Sequence, residues 1–366
     1  MRGGAKLTKE ELIERQKKLD EQILKSRKEI KSDRMDMSFG EIINMYENGE
    51  IIINPEFQRT FRWDEERQTK FIESVLLGIP IPPIFVAEDS RNVWELVDGL
   101  QRLSTILSFF GSLKDKRKNN LVLKKASILT ELEDITIDTL PLNYKLLLKR
   151  AVCRVEVIRF DSEFDMRYEL FNRLNTGGAE LSEQEIRNCI FRGYDNKFNA
   201  FLSELGSRVD FQNVVWIREA EKERMYYQEL ILRYFTLKNK GAKFETNIQE
   251  HMDKYMLEMS KGPELFAFEE EKNIFDRVIS LVASLDENIF KLARLNFSTS
   301  MYDSIMINFS KHLDYLETMT KEQILAKIDN LRNSEDFREN TGPASSSRSR
   351  INAKIELAEK YFMPEE

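Results

Sequence analysis

The stretch ELVDGLQRLSTILSFF, Glu95 to Phe110, decides how the N-terminal half of this chain folds. An apolar strand end runs into Asp98-Gly99 and then, without a spacer, into an amphipathic helix whose first polar residues are Gln101 and Arg102. A turn into a helix N-terminus presents unpaired backbone N–H groups and a partial positive charge, which is how a fold holds an anion such as a phosphate. Gly99 lets the backbone approach closely, Arg102 can fork two phosphate oxygens, and Gln101 can hold a water or an oxygen. Asp98 by itself would repel that phosphate. Its presence calls for Mg²⁺ bridging, a nucleobase or ribose contact, or an orienting bond to Arg59 or Arg102. Taken alone, Asp-Gly after a strand also reads as a plain tight turn.

Working outward, IPIPPIFVAEDSRNVWELVDG reads as a stiff proline entry, a strand, a turn over 88–92 and a second strand, a hairpin that delivers Asp98. Upstream, Asp64 caps a helix whose Phe71, Ile72, Val75 and Leu76 form one apolar stripe, ending at Gly78. Before it, NPEFQRTFRW is a loop, because Pro55 cannot continue a central strand. Ser38 with Glu41 opens another helix, followed by a β-branched strand at Ile51 to Ile53. Thr8 with Glu11 is a capping-box spacing for a long N-terminal helix, in which Leu12, Gln16, Leu19, Ile23 and Ile30 recur near heptad spacing. That helix is too polar to stand alone and is expected to pack on the body or on a partner chain.

Downstream, AVCRVEVIRF is a third apolar strand, followed by a helix capped at Ser162 and ended by the glycines of NTGG. That turn reads equally as a helix C-cap and as an anion-accepting turn. Ser182 with Glu185 forms a capping box for EQEIRNCIFRG. Beyond Tyr194 amphipathic segments succeed one another without strand-like alternation, and ENTGPASSSRSR links them to a final helix. The expected fold class is α+β, a mixed α/β N-terminal domain followed by an all-helical C-terminal domain. The expected divisions are an N-terminal helical extension over 1–37, a domain over 38–192, a helical domain over 193–340, and a Ser/Arg-rich linker with a terminal helix over 341–366.

The composition narrows the function classes. With 366 residues, 41% of them hydrophobic and 33% charged, the chain can bury a proper core. It has no bilayer-length apolar run and no signal peptide at its start, so a cytoplasmic location and no membrane contact are expected. Cys153 and Cys189 are far apart in apolar surroundings, and the chain holds only two histidines, His251 and His312. This argues against zinc sites and a disulfide framework. There is no Walker lysine loop, no H-E-x-x-H and no nucleophile elbow. The net charge of −7 argues against a surface wholly coated for nucleic acid, while local patches remain. The candidate DNA surfaces are the N-terminal helix, with eleven Lys and Arg against seven Asp and Glu in the first 34 residues, the cluster with Lys114, Lys116, Arg117 and Lys118, and Arg348 with Arg350. A solvated face explains each of them equally well.

Four blocks in order, INPEFQRTFRW, ESVLLGIPIPPIFV, VDGLQRLSTI and LFNRLNTGGAELSEQEIRN, resemble the N-terminal domain family of GmrSD-type restriction enzymes, whose fold is similar to the ParB and sulfiredoxin superfamily. The resemblance covers roughly residues 38 to 192. It implies a nucleoside-triphosphate-binding domain, hydrolysing in some members, used against phage or modified foreign DNA. The family's Asp-Gly-Gln-Gln-Arg signature falls on Asp98, Gly99, Leu100, Gln101 and Arg102, with leucine in place of the first glutamine. It therefore implies Asp98, Gln101 and Arg102 as catalytic residues, with Asp98 also holding Mg²⁺. Gln58, Arg59, Gly99, Asn175, Gly177, Gly178 and Arg187 are implied as nucleotide-binding residues. Many full-length relatives add a histidine-centred nuclease domain, which the two histidines here do not build in its usual form. Two readings follow: an NTPase with associated DNA nuclease activity, or a non-catalytic NTP-gated switch that controls DNA or a partner nuclease subunit. The heptad-like helix also allows a homodimer.

Overall fold

The computed structural model describes the chain except residues 1–7, 30, 54–62, 160–169, 172, 174–180, 192–193, 195, 223, 243, 245–246, 286–287, 294–295, 342–345 and 365–366. The described residues form two compact units, Met1–Glu180 and Leu181–Glu366. The contacts of the chain divide at 180/181.

The first unit opens with α1 (Lys9–Glu29). Its capping box closes as expected, the Glu11 amide donating to Thr8 Oγ1 at 3.2 Å while the Thr8 amide donates to Glu11 Oε2 at 2.8 Å. The strands are β1 (Ser32–Ser38), β2 (Ile51–Ile52), β3 (Ile84–Glu88), β4 (Trp94–Asp98) and β5 (Val152–Ile158). They form one mixed sheet in the order β1-β5-β3-β4-β2, with β1–β5 and β3–β4 antiparallel, β3–β5 and β2–β4 parallel. Helices α2 (Phe39–Glu47), α3 (Glu65–Leu76), α4 (Leu100–Phe109) and α5 (Leu142–Arg150) complete the unit. The core joins Val86, Leu96, Val155 and Val157 of the sheet to Phe39, Ile42, Ile72, Ile106 and Leu148 of the helices, all buried.

Strand β1 is absent from the sequence reading. SDRMDMS lacks the β-branched run of a buried strand, and its first five residues are exposed. What orders it is the partner. Arg34 lies opposite Glu156 and Asp36 opposite Arg154 in the antiparallel register, and both pairs bond at 3.0 Å. Opposite charges directly across a ladder favour this register on the solvated face of an antiparallel pair.

The second unit is built on α6 (Glu183–Phe191), α7 (Lys197–Gly206), α8 (Tyr226–Lys240), α9 (Ile248–Lys261), α10 (Phe268–Leu285), α11 (Thr299–Lys311), α12 (Lys321–Asn333) and α13 (Arg348–Phe362), with shorter turns between them. Its interior is aromatic: Phe198, Phe201, Phe235 and Phe266 meet edge-on or tilted at 5.0–5.7 Å. It departs from the all-helical expectation in one small ladder, Lys291–Ala293 against Asn296–Phe297, too short to leave a periodic signal in sequence.

Candidate functional site

The site is built where β4 meets α4. Phe85 pairs with Asp98 but Val86 pairs with Leu96, so Val97 is an extra residue in β4 just before Asp98. Such a bulge twists a strand end and re-aims the side chain that follows. Gly99 then turns the chain at φ 98°, in the left-handed region, and serves as the N-cap of α4. Two constraints demand glycine here. The positive φ strains an L side chain, and a Cβ would fall 2.5 Å from Ile84 Cγ2 and 3.3 Å from Arg102 Nη2.

Because the cap is glycine, it has no side chain of its own to bond the first amides of α4. A helix N-terminus is the donor-rich, partly positive end that suits an anion. Arg102, one turn in, donates from Nη2 to Asp98 Oδ2 at 2.9 Å and to the Pro83 carbonyl at 3.0 Å. The orienting bond from Arg102 to Asp98 is thus formed among the described residues. GIPIPP acquires a purpose beyond stiffness, since its last carbonyl fixes the guanidinium. Arg102 Nε is buried with no hydrogen-bond partner among the described residues. The pair is half-open to solvent, with side-chain exposures of 36% for Asp98 and 18% for Arg102, so a ligand can reach what the fold has oriented.

Gln101 is placed differently from a water-holding amide. Its Oε1 accepts the Trp63 amide at 3.1 Å, while Gln68 Nε2 donates to the Trp63 carbonyl at 2.7 Å. Together the two side chains grip both polar groups of one peptide residue at the end of the NPEFQRTFRW block. Trp63 itself packs edge-on against Phe71, ring centroids 5.8 Å apart. Gln68 was not among the sequence-derived site residues. Its signal was present, a polar residue three, four and seven positions before Phe71, Ile72 and Val75, hence on the buried stripe of α3.

Behind the junction, Cys153 on β5 is a free, buried thiol that burial pushes up to about 11, so it remains protonated and inert at neutral pH. The basic cluster lies beyond the other end of α4. Lys116–Lys118 form a 3-10 turn capped by Asp115, which also pairs with Arg117 at 3.0 Å, and Ser108 Oγ of α4 donates to the Lys118 carbonyl at 2.5 Å. Lys114 sits over the Tyr46 ring, 5.5 Å from its centroid. The ten residues of α4 separate this cluster from Asp98 by roughly 15 Å.

Gln58, Arg59, Asn175, Gly177 and Gly178 lie outside the described residues, as do Ser162 and the NTGG turn. Arg187 belongs to the second unit, where its fully buried guanidinium donates to Asp253 Oδ1 at 2.5 Å, Gln249 Oε1 at 2.5 Å and Gln184 Oε1 at 3.3 Å. These bonds direct it into the helical core rather than towards a solvent-facing pocket. Glu185 completes the capping box of α6 with Ser182, the Ser182 amide donating to Glu185 Oε2 at 2.6 Å. Arg348 and Arg350 stand in the first turn of α13, and Arg348 lines a cavity of about 390 Å³ with Ala242, Ser349 and Asn352. His251 stacks on Phe244 at 5.1 Å and bonds the Gly241 carbonyl at 3.1 Å. Among the described residues no group of three or more His, Cys, Asp or Glu is placed to hold a metal, and no helix is long and apolar enough to cross a membrane.

The first unit is thus an α+β domain in which a carboxylate and a guanidinium are oriented where β4 of a mixed sheet meets α4. Residues 39–192 match the model of the GmrSD restriction endonuclease N-terminal domain. No curated protein and no solved structure matches the chain. The span runs past the first compact unit and includes α6, so the capping box and Arg187 fall inside the family domain and in the second unit at once.

Proposed function

We propose that this chain is a component of a DNA-restriction system that binds a nucleoside triphosphate with Mg²⁺ at the Asp98–Arg102 junction. The observation that carries the reading is the guanidinium of Arg102, fixed by Pro83 and Asp98 at the start of α4, where Gly99 brings no side chain between the helix end and a ligand. The amides would receive phosphate oxygens, and Arg102 would neutralise phosphate charge. Asp98 gives Oδ2 to Arg102 and keeps its second oxygen for a cation or a ribose hydroxyl. A single carboxylate suffices for Mg²⁺, which takes most of its six ligands from phosphate and water. In a hydrolysing enzyme the same groups stabilise charge as it develops on the transferred phosphoryl. DNA would be engaged through backbone phosphates by Lys114, Lys116, Arg117 and Lys118, with Arg348 and Arg350 as a second patch, so its binding should weaken steeply with salt.

A second reading has its own support. Leu100 stands where the family signature has glutamine, and Gln101 is engaged with the Trp63 backbone. Both leave fewer amides for positioning an attacking water. In this reading the chain is an NTP-gated switch acting on DNA or on a partner nuclease subunit. Calorimetric binding of the four NTPs with Mg²⁺, alongside phosphate-release assays of the wild type, Asp98→Ala and Arg102→Ala, separates the two. Turnover lost in both variants establishes an NTPase. Tight binding without turnover supports the switch, and no binding of any NTP at millimolar concentration overturns both.

A further inference from the structure

Helix α1 is formed, yet none of its described side chains is buried. It runs for 21 residues behind a complete capping box, and every described side chain from Glu11 to Leu24 is exposed, Leu12, Ile13, Leu19, Ile23 and Leu24 among them. In proteins most helical stability comes from packing of an apolar face rather than from intrinsic propensity, so such a face calls for a cover.

The pattern of that face names its cover. With Leu12 and Leu19 at heptad position d, Gln16 and Ile23 fall at a, and the sequence continues the a series with Ile30. β-branched residues at a with leucine at d favour two parallel strands, and polar residues on the seam, here Lys9 and Gln16 at a and Ser26 at d, set register and oligomer state at a cost in stability. The flanking charges agree with the same arrangement. Arg15 occupies g and Asp20 the following e, and these positions face each other across a parallel dimer, giving two attractive pairs by symmetry. The ion pair within the helix, Glu14 to Lys18 at 2.7 Å, lies on the outer c and f positions, clear of the seam. We propose that α1 pairs with α1 of a second copy of this chain in a parallel two-stranded coiled coil. This interface stands independently of nucleotide binding.

Sedimentation velocity of the full chain, from low to high micromolar concentration, should show a reversible shift from the 43.2 kDa chain to a dimer. The double variant Leu19→Asp with Ile23→Asp should stay monomeric and lose the helical signal of α1, while the thermal midpoint of the remaining structure stays that of the wild type. Asp20→Arg should raise the dimer dissociation constant roughly fivefold at low ionic strength, and Arg15→Asp in the same chain should restore it. Gln16→Cys should cross-link under mild oxidation, because only a parallel, in-register pair brings the two a positions together. A monomer at every concentration overturns the proposal. So does a dimer that survives the seam variant, or one that Gln16→Cys fails to cross-link.

Discussion

Arginine meets aspartate in both units of this protein, with opposite settings. In the first unit Arg102 and Asp98 share one bond, 2.9 Å long, at a half-open junction. In the second, Arg233 grips Asp303 with two bonds of 2.6 Å, the arginine side chain 6% exposed and the aspartate 1%. Lys354 stands beside them, buried, donating to Ser300 Oγ at 2.6 Å. The interior pair has lost its water and depends on its partner. The junction pair retains solvent on one side and can exchange its partner for a ligand. The same two residue types therefore serve as architecture where both are dry and as a candidate site where both can be reached.

The sharpest test of that contrast is Asp303→Ala. It strands a buried guanidinium and should cost about 3–5 kcal/mol, seen as an early or lost thermal transition of the helical unit. Next is Gly99→Ala, which drives a Cβ into Ile84 and strains a positive φ, and should cost about 2–3 kcal/mol in chemical denaturation. The clash lies against Ile84, so adding Ile84→Ala should remove the collision and leave the backbone strain.

A third test uses pH. Burial lowers the Lys354 ammonium to about 8 from an ordinary value of 10.5. In this window the unfolded chain binds the proton more readily than the folded one, so stability should rise as pH climbs from about 8 to about 10. Below 8 the full penalty for the buried charge is present. The gain should be at most roughly 2 kcal/mol and should vanish in Lys354→Met, measured as thermal midpoints across that range.

The smallest expected stability change is that of Asp98→Ala. At a half-exposed pair, with Arg102 still held by the Pro83 carbonyl, the loss should stay under about 1 kcal/mol. NTP affinity should nevertheless fall by roughly tenfold or more, as expected when a charged hydrogen-bonding group is removed from a binding site. A large melting shift with unchanged affinity would reverse the assignment and make this pair architectural too.

Much of the local structure could be read from residue order. The capping boxes at Thr8 and Ser182, the Asp64 cap, the hairpin delivering Asp98 and the helical succession beyond Tyr194 rest on interactions within a few residues. Within that succession α11 stops at His312, where the backbone leaves the helical region at φ −116°, ψ 25°. The signals that escaped are long-range. Strand β1 exists because of charges on β5 more than a hundred residues away, and Gln101 is directed by Trp63, 38 positions earlier.

At the site itself the division is the same. Residue order alone determined that an acid, a glycine, an amide and a guanidinium would meet where a strand becomes a helix, since hydrophobic periodicity and turn chemistry act between near neighbours. It left three partners open for Asp98 and no way to choose. Only the tertiary structure decided that Arg102 takes it, that Pro83 holds the guanidinium, that Gln101 turns to the Trp63 backbone, and that Arg187 is buried among Asp253 and Gln249. Those outcomes depend on which segments the sheet and the helix packing bring within hydrogen-bond reach, about 3 Å, a distance that spacing along the chain does not encode.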